Sequence, residues 1–261
     1  MNRPFTLPER LIEKIGDAVL EKDTLGMSEA SVFKVIGREA GESFYLKAAV
    51  SATERLEEEA EVLGWLKGKL PVPEVLYYGE HGETEYLLLS EITGRQAADP
   101  GVLANPHELG RLMAEGLKMI HEVGISECPF DQTLETKIAI ARCHVHNGLV
   151  CEDDFQEEYQ GHDPVELLRR VEKERPSNED LVFTHGDYCL PNIILDENQI
   201  QGFIDWGRAG IADRHQDLAL AIRTLNNNGV PEAVETFKTT YGEAWFDQKK
   251  VEYFILLDEL F

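Results

Sequence analysis

The chain of 261 residues is 43% hydrophobic and 28% charged, an ordinary globular composition that excludes the disordered and fibrous classes. Its 49 acidic residues exceed 25 basic ones, and the net charge of −24 disfavours nucleic acid and anionic lipid as partners and favours cationic ligands, although a general solubility effect would produce the same surplus. No apolar run approaches the roughly 20 residues that span a bilayer, no signal peptide is recognisable and the cysteines lack C-x-x-C spacing, so we expect a cytoplasmic protein with reduced thiols.

The first ninety residues predict a small sheet with one packed helix. The stretches "SVFKVIG" and "SFYLKAAV" have the composition of two strands, and Gly41 between them suits a hairpin turn. Residues 54–67 then place Leu56, Ala60, Leu63 and Leu66 on one face of a helix. The stretch "EYLLLSEITG" predicts a buried strand that runs into a turn.

The rest of the chain predicts mainly helices. Residues 107–121 carry an inward stripe of Leu109, Met113, Gly116 and Ile120, and a second helix begins in "HDPVELLRRVEKER" with Asp163 as its cap. The acidic segment "CEDDFQEEYQGHD" connects them. A turn and two short strands around "DENQ" follow, and helices resume from about residue 212. The change of pattern predicts an α+β chain with two domains, residues 1–90 and 91–261.

The stretch "HGDYCLPN" holds an acid and an amide five residues apart, between the apolar runs "LVFT" and "IILD". A phosphoryl-transfer site needs one acid near the acceptor hydroxyl and others on the magnesium that neutralises the phosphates. Asp187 would face the hydroxyl, whereas Asn192 and Asp205 would bind the metal. The alternative is an Asx-rich turn, because Asp and Asn both favour turns. Asp205, at the end of a following strand, favours the kinase interpretation.

A phosphate-binding lysine is expected upstream of such a loop. Lys47 lies among apolar neighbours in a predicted strand, and Glu59 falls inside the apolar face of the helix that follows. Because an unpaired buried carboxylate is costly, we predict that Glu59 pairs with Lys47, as the strand lysine and helix glutamate of kinases do. A glutamate at the edge of a loosely packed helix is the alternative.

The candidate phosphate loop carries a weaker signal. The stretch "DTLGMSEASVF" has a single glycine and lacks G-x-G-x-x-G. Ser28 and the backbone at Met27 are candidates for phosphate contact at a turn between strands, while a plain hairpin explains the segment equally well. The chain also lacks G-x-x-x-x-G-K-[ST], so a Walker-type fold has no support.

The chain resembles the aminoglycoside 3′-phosphotransferases, antibiotic-resistance enzymes with a protein-kinase-like bilobal fold. The resemblance runs nearly end to end and is more specific than the catalytic triplet alone. It implies a small β-rich N-terminal lobe that holds ATP and a larger, mainly helical C-terminal lobe for catalysis and aminoglycoside binding. The stretches that carry it are "DTLGMS", "YLK", "WLKGKLPVPEVL", "LLLSE", "LVFTHGDYCLPN", "GFIDWGRAGIADRHQDLALAIR" and "ILLDELF".

The resemblance implies roles for residues on the nucleotide side. Tyr45 matches an aromatic residue that stacks on adenine, and Ser90 and Ile92 match positions that offer backbone hydrogen bonds to the base. Asp187 matches the catalytic aspartate, which positions the 3′-hydroxyl and accepts its proton. Asn192 and Asp205 match the two magnesium ligands.

On the substrate side, the resemblance explains the acid surplus, because a carboxylate-lined pocket attracts the ammonium groups of an aminoglycoside. The acidic segment is one residue longer than the family pattern, so Asp154 or Glu158 could replace either of its two matched glutamates. Trp206 replaces a smaller residue after the metal aspartate and is expected to alter local packing or access. The positions that match substrate contacts are Glu152, Glu157, Arg208, Asp258, Glu259 and, through its carboxylate, Phe261.

The expected function is ATP- and Mg²⁺-dependent phosphorylation of the 3′-hydroxyl of an aminoglycoside of the kanamycin or neomycin type, conferring resistance. One alternative is a kinase of the same fold acting on another small hydroxylated amine or sugar, and the acidic pocket and "LDELF" disfavour the neutral substrates of this group. The other is a non-enzymatic binder. The joint presence of Lys47, Glu59, Asp187, Asn192 and Asp205 argues against it.

Overall fold

The computed structural model describes residues 7–22, 30–37, 43–50 and 55–261. The chain divides into two compact units. The first unit takes the described residues up to Gly94 and a later segment, Gln201–Gly207. The second unit takes Arg95–Ile200 and Arg208–Phe261. In the described ranges, no helix has both the length and the apolar character needed to cross a membrane.

The first unit is built on a five-stranded antiparallel sheet in the order β1-β2-β3-β5-β4. The central strand β3 pairs with β2 on one side and β5 on the other, which buries Leu46, Lys47 and Ala48. The elements are α1 (Glu9–Ile15), β1 (Val19–Lys22), β2 (Ser31–Ile36), β3 (Ser43–Val50), α2 (Leu56–Leu66), β4 (Val75–His81) and β5 (Thr84–Ser90).

The predicted strands β2, β3 and β5 and the predicted helix α2 are confirmed. Gly41 and Glu54, the first residue of the predicted helix, lie outside the described residues. The expectation of one packed helix is wrong, because α1 also packs on the sheet. Its Leu11 and Ile15 are buried in one core with Phe33 and Leu46. Two helical turns are too short to display a helical period, which is why the sequence did not reveal α1.

From Arg95 onward most residues are helical. Two small sheets accompany the helices, one with β10 and β7 paired antiparallel and one in the order β6-β8-β9. The elements are β6 (Arg95–Gln96), α3 (Pro100–Leu103), α4 (Pro106–His121), α5 (Leu134–Asn147), α6 (Pro164–Glu174), β7 (Leu181–Thr184), β8 (Ile193–Asp196), β9 (Gln199–Phe203), β10 (Gly210–Asp213), α7 (His215–Asn227), α8 (Glu232–Tyr241) and α9 (Gln248–Asp258).

The predicted helices α4 and α6 are confirmed. The inward stripe of α4 is buried, and the Asp163 side chain caps α6 by accepting a hydrogen bond of 2.9 Å from the Val165 N–H. The helix α5 was not predicted, because its buried face interrupts its apolar residues with Lys137. The strand β10 occupies residues where helices were expected to begin, and its pairing with β7 fixes the start of the "HGDYCLPN" turn.

Candidate active site

The turn that follows β7 approaches the backbone of Arg208 closely. Thr184 pairs with Gly210 in the β7–β10 ladder, and its hydroxyl donates to the Gly210 carbonyl at 2.9 Å. Gly186 has a φ of +83°, and a Cβ at this position would lie 1.9 Å from the Arg208 carbonyl oxygen. A glycine is therefore required where the turn leaves the strand.

The Asp217 carboxylate fixes the backbone of this turn through hydrogen bonds. It lies in the first turn of α7 and is fully buried. Its Oδ2 accepts the His185 N–H at 2.8 Å and its Oδ1 accepts the Gly186 N–H at 2.9 Å. Sequence reasoning missed Asp217. The available signal was a carboxylate on the inward face of an apolar helix, the signal that had identified Glu59.

The carboxylate of Asp187 is held by the amide of Asn192. The Asn192 Nδ2 donates to the backbone carbonyl and to the Oδ2 of Asp187, both at 3.0 Å. The Asp187 N–H donates to His185 Nδ1 at 3.3 Å, so the histidine ring helps to orient the backbone of the turn. An amide that donates through nitrogen still has its oxygen to offer a metal. The spacing of five residues thus joins the two side chains into one structural group.

The first unit contains the predicted pair of Lys47 and Glu59. The Lys47 Nζ lies 2.8 and 2.7 Å from the two Glu59 oxygens and 3.0 Å from Asp205 Oδ1. Lys47 and Glu59 are buried. Burial alone would lower the pKa of Lys47, but the two carboxylates outweigh it and raise the pKa well above the usual value. Lys47 is therefore held as a cation, and the Asp205 side chain beside it is half-exposed.

Asp205 sits in a backbone conformation that non-glycine residues seldom adopt, with a φ of +67°. The next residue fixes this bend, because the Trp206 N–H donates to Glu59 Oε1 at 3.3 Å and its indole Nε1–H donates to the Phe203 carbonyl at 2.9 Å. Trp206 is fully buried and meets the Phe203 ring edge-to-face. Of the two effects expected for Trp206, the structure supports a packing role.

The three described residues predicted to meet adenine lie near the end of β5. Tyr45 in β3 is half-buried, and Lys34 Nζ lies 5.7 Å from the centre of its ring. The backbone N–H of Ser90 donates to the Glu74 carbonyl at 3.0 Å, so this N–H is already occupied. Ile92 is half-buried. The predicted phosphate contacts at Met27 and Ser28 lie outside the described residues.

Buried charges gather at the end of α9 in the second unit. Asp258 pairs with Arg223, and its Oδ1 lies 3.5 Å from Arg208 Nη1. Burial would raise the pKa of Asp258, but Arg223 and neighbouring cations outweigh it and lower the pKa. The Asp258 Oδ1 accepts no hydrogen bond from any residue in the described ranges, so this buried oxygen retains capacity for a donor.

Glu259 and Phe261 extend the same cluster. Burial raises the pKa of Glu259, partly offset by the Gln156 N–H, which donates to its carboxylate at 2.9 Å. That bond ties the acidic segment to the end of the chain, whereas the predicted side chains Glu152 and Glu157 are exposed. The Phe261 ring lies edge-to-face with His144 and 5.8 Å from the Arg208 guanidinium.

Lys137 in α5 is a buried cation that sequence reasoning missed. Its side chain is almost fully buried, and its Nζ lies 4.8 Å from the centre of the Phe261 ring. Burial, with repulsion from Arg208 added, lowers the pKa of Lys137 to about 8 in spite of nearby carboxylates. Its position among the apolar residues of a helix face was the available signal, but the lysine itself interrupts the apolar pattern by which that face would be recognised.

The side chains present suit magnesium better than a softer metal. Among the described residues, no three His, Cys, Asp or Glu side chains cluster in a way that could hold a metal. The predicted ligands are instead one amide, Asn192, and one carboxylate, Asp205. Hard oxygen donors in small number fit magnesium, which keeps water and phosphate oxygens in its other positions.

The chain is similar to known phosphotransferases over nearly its whole length. Residues 24–254 match the phosphotransferase enzyme family. An aminoglycoside 3′-phosphotransferase of Niallia circulans is 42% identical over 256 residues, which cover 97% of each chain. One from Enterococcus faecalis is 37% identical over 97% of this chain and 96% of its own.

Solved structures extend the similarity to the fold. The crystal structure of an aminoglycoside-3′-phosphotransferase of type VIII superposes with a TM-score of 0.83 at 33% identity, covering 93% of this chain and 94% of its own. A Streptomyces rimosus aminoglycoside phosphotransferase, APH(3″)-Id, in complex with ADP and streptomycin gives 0.79 at 31% identity over 96% and 95%. These neighbours confirm the predicted α+β fold class, that of the protein-kinase-like phosphotransferases.

Proposed function

Because this chain belongs to the aminoglycoside 3′-phosphotransferase family, we propose that it transfers the γ-phosphoryl group of ATP to the 3′-hydroxyl of an aminoglycoside. The observation that carries the proposal is the Asp187–Asn192 group on a turn whose backbone a buried Asp217 holds. Such a fixed carboxylate can receive a hydroxyl proton and aim the hydroxyl oxygen at phosphorus. We place the reaction in the cytoplasm, where ATP is abundant, with resistance to the drug as its outcome.

Transfer by this site depends on positioning and charge compensation. Asp187 binds the acceptor hydroxyl and takes its proton as the new O–P bond forms, while the bond from the γ-phosphorus to the bridging oxygen breaks and ADP leaves. Lys47, held by Glu59, neutralises phosphate charge on the nucleotide. When magnesium is bound, it compensates the remaining phosphate charge, and Asn192 and Asp205 would hold it through oxygen. Fixed charges of this kind supply most of the acceleration in phosphoryl transfer.

The nucleotide base would be bound by the end of β5. The Ser90 carbonyl and the Ile92 N–H are the proposed hydrogen-bonding groups, and the half-buried Tyr45 ring would stack on adenine. This assignment uses the Ser90 carbonyl because the Ser90 N–H is bonded to Glu74. The proposed phosphate contacts at Met27 and Ser28 rest on the sequence alone.

A cationic substrate would be recognised by acids in the second unit. The buried Asp258 Oδ1, which keeps capacity for a donor, suits an ammonium group, and the neighbouring Glu259 carboxylate offers a second acceptor. Ammonium-to-carboxylate hydrogen bonds are among the stronger polar contacts in proteins. The remaining proposed contacts are Arg208 and Phe261 near this cluster and the exposed Glu152 and Glu157 of the acidic segment.

The assay that tests the function compares kanamycin with an analogue that lacks only the 3′-hydroxyl. We expect ATP-dependent phosphate transfer to kanamycin and none to the analogue, whereas both should bind. The Asp187→Asn variant should bind nucleotide and lose at least about a thousandfold in transfer rate, as expected for a lost catalytic acid or base with its positioning effect. Equal turnover of the two drugs would refute the 3′ assignment. Transfer to choline or a neutral sugar instead would support the alternative small-molecule kinase.

A further inference from the structure

A chain of hydrogen bonds runs from the surface of the second unit to the turn that carries Asp187. It begins at Arg214, whose guanidinium binds the Asp180 carboxylate and lies 4.0 Å from the Trp245 ring. The Arg214 Nη1 donates to the Tyr241 hydroxyl at 2.8 Å. That hydroxyl lies 2.7 Å from His121 Nδ1, and His121 Nε2 lies 3.0 Å from Asp217 Oδ2.

The chemistry of the two end members sets the direction of the bonds in the chain, because Arg214 can only donate and the Asp217 carboxylate can only accept. A guanidinium has donors and no acceptor, so the Tyr241 oxygen must accept from Arg214. The single hydrogen of the hydroxyl is then directed to His121 Nδ1. Burial raises the pKa of Tyr241 in spite of the opposing effect of Arg214, so the hydroxyl keeps that hydrogen at neutral pH. The hydrogen of a neutral His121 consequently sits on Nε2 and points at Asp217.

Asp217 depends on this last donor. It is fully buried, and its hydrogen bonds from the described residues come from N–H groups: the backbone amides of His185 and Gly186, and the His121 ring. A buried carboxylate that loses one donor is left with too few hydrogen bonds to stabilise its charge, and it shifts toward its other partners. Because the same Oδ2 accepts both His121 and the His185 amide, a shift there is transmitted to the turn two residues before Asp187.

We propose that Arg214, Tyr241 and His121 are positioning residues for phosphoryl transfer: they fix the histidine tautomer that holds Asp217, and Asp217 holds the turn that presents Asp187. The inference rests on the proposed function of Asp187. None of the three acts on the substrate. They orient the Asp187 carboxylate, and this orientation affects the rate of transfer more than the binding of either substrate.

The test begins with Tyr241→Phe, which removes the hydroxyl and preserves the ring that packs on Phe237 and Phe246. We expect the single-turnover rate of transfer to fall about tenfold, with the dissociation constants of ATP and aminoglycoside within about twofold of the wild type. The matched control is Tyr253→Phe. The Tyr253 hydroxyl is also buried but has no hydrogen-bond partner among the described residues, so its removal should leave the rate unchanged.

Substitutions of His121 separate the chain of bonds from simple packing. Gln presents an amide N–H near the position of Nε2, so His121→Gln should keep most of the rate, while His121→Leu should lose at least as much as Tyr241→Phe. In the His121→Gln background the Tyr241 hydroxyl has no Nδ1 to meet, and Tyr241→Phe should then cost less than about twofold. A tenfold loss in both backgrounds would overturn the proposal.

A direct reading of the tautomer keeps this inference separate from the function. In protein labelled with ¹⁵N-histidine at pH 7.5, the His121 signal, identified by its loss in His121→Gln, should report a hydrogen on Nε2 in the wild type. A hydrogen on Nδ1 would overturn the inference even if the enzyme is active. Failure of kanamycin phosphorylation with the expected tautomer would instead count against the proposed function alone.

Discussion

Gly186 occupies a position that no residue with a side chain fits without a shift of the backbone. Its φ of +83° lies in the region that favours glycine, and a Cβ would overlap the Arg208 carbonyl oxygen at 1.9 Å. The two effects are separable, since the first is a local strain and the second a collision with another segment. The second effect matters for function because Arg208 follows Asp205 by three residues and Gly186 precedes Asp187.

The substitution Gly186→Ala should therefore cost more than backbone strain. We expect a loss of at least about 3 kcal/mol in the free energy of unfolding, the sum of strain and overpacking, and a fall in transfer rate of more than about a hundredfold. Gly229→Ala is the matched control, because Gly229 has a φ of +71° and a Cβ there meets no described atom within 4 Å. That variant should lose about 1 kcal/mol and no activity. Urea unfolding and the transfer assay measure both, and equal losses in the two variants would contradict the collision.

The helix α5 shows how a buried charge can obscure a helix in the sequence. Its buried residues are Leu134, Lys137, Ile138 and Ala141, at helical spacing but with a cation among them. Lys137 faces the Phe261 ring, and the pKa of its ammonium is lowered to about 8 by burial and by Arg208. A lysine kept in such a place carries a cost in stability that its substitution should reveal.

The stability cost of Lys137 depends on pH in a defined direction. Its pKa is about 8 in the folded chain and 10.5 in the unfolded one, so between these values the unfolded state binds more protons and stability rises with pH. The penalty is complete below about pH 8. At about 1.4 kcal/mol for each pKa unit, Lys137→Met should stabilise the protein by about 3 kcal/mol at pH 7, and the gain should shrink toward pH 10.

Urea unfolding between pH 6 and 10 measures this gain. Lys173→Met on the exposed face of α6 is the control, and its effect should be small and independent of pH. A gain that stays constant across the range would show that Lys137 does not titrate in the folded state. If Lys137→Met also raises the aminoglycoside Kd while leaving the ATP Kd unchanged, the buried cation has a role in arranging the acidic cluster around Asp258.

On the scale of the whole molecule, the sequence predicted the side-chain pairs that periodicity and short motifs indicate. The inward glutamate on α2 and the lysine on β3 follow from periodicity and the cost of an unpaired charge, and the structure pairs them at 2.7 and 2.8 Å. What it did not reveal depends on contacts distant in sequence. No local sequence pattern indicates that Gln201–Gly207 belongs to the first unit, or that the His185 N–H donates to Asp217.

The net charge of −24 leads to a prediction about the whole surface. A strongly acidic protein accelerates encounter with a cation, and salt screens this attraction over a Debye length of about 10 Å at 0.1 M. We expect kcat/KM for kanamycin to fall about five- to tenfold between about 0.02 and 0.3 M salt at fixed free magnesium and saturating ATP. A derivative with fewer ammonium groups should show a smaller fall, because the attraction scales with ligand charge. Equal slopes for the two substrates would assign the acid surplus to solubility and not to substrate capture.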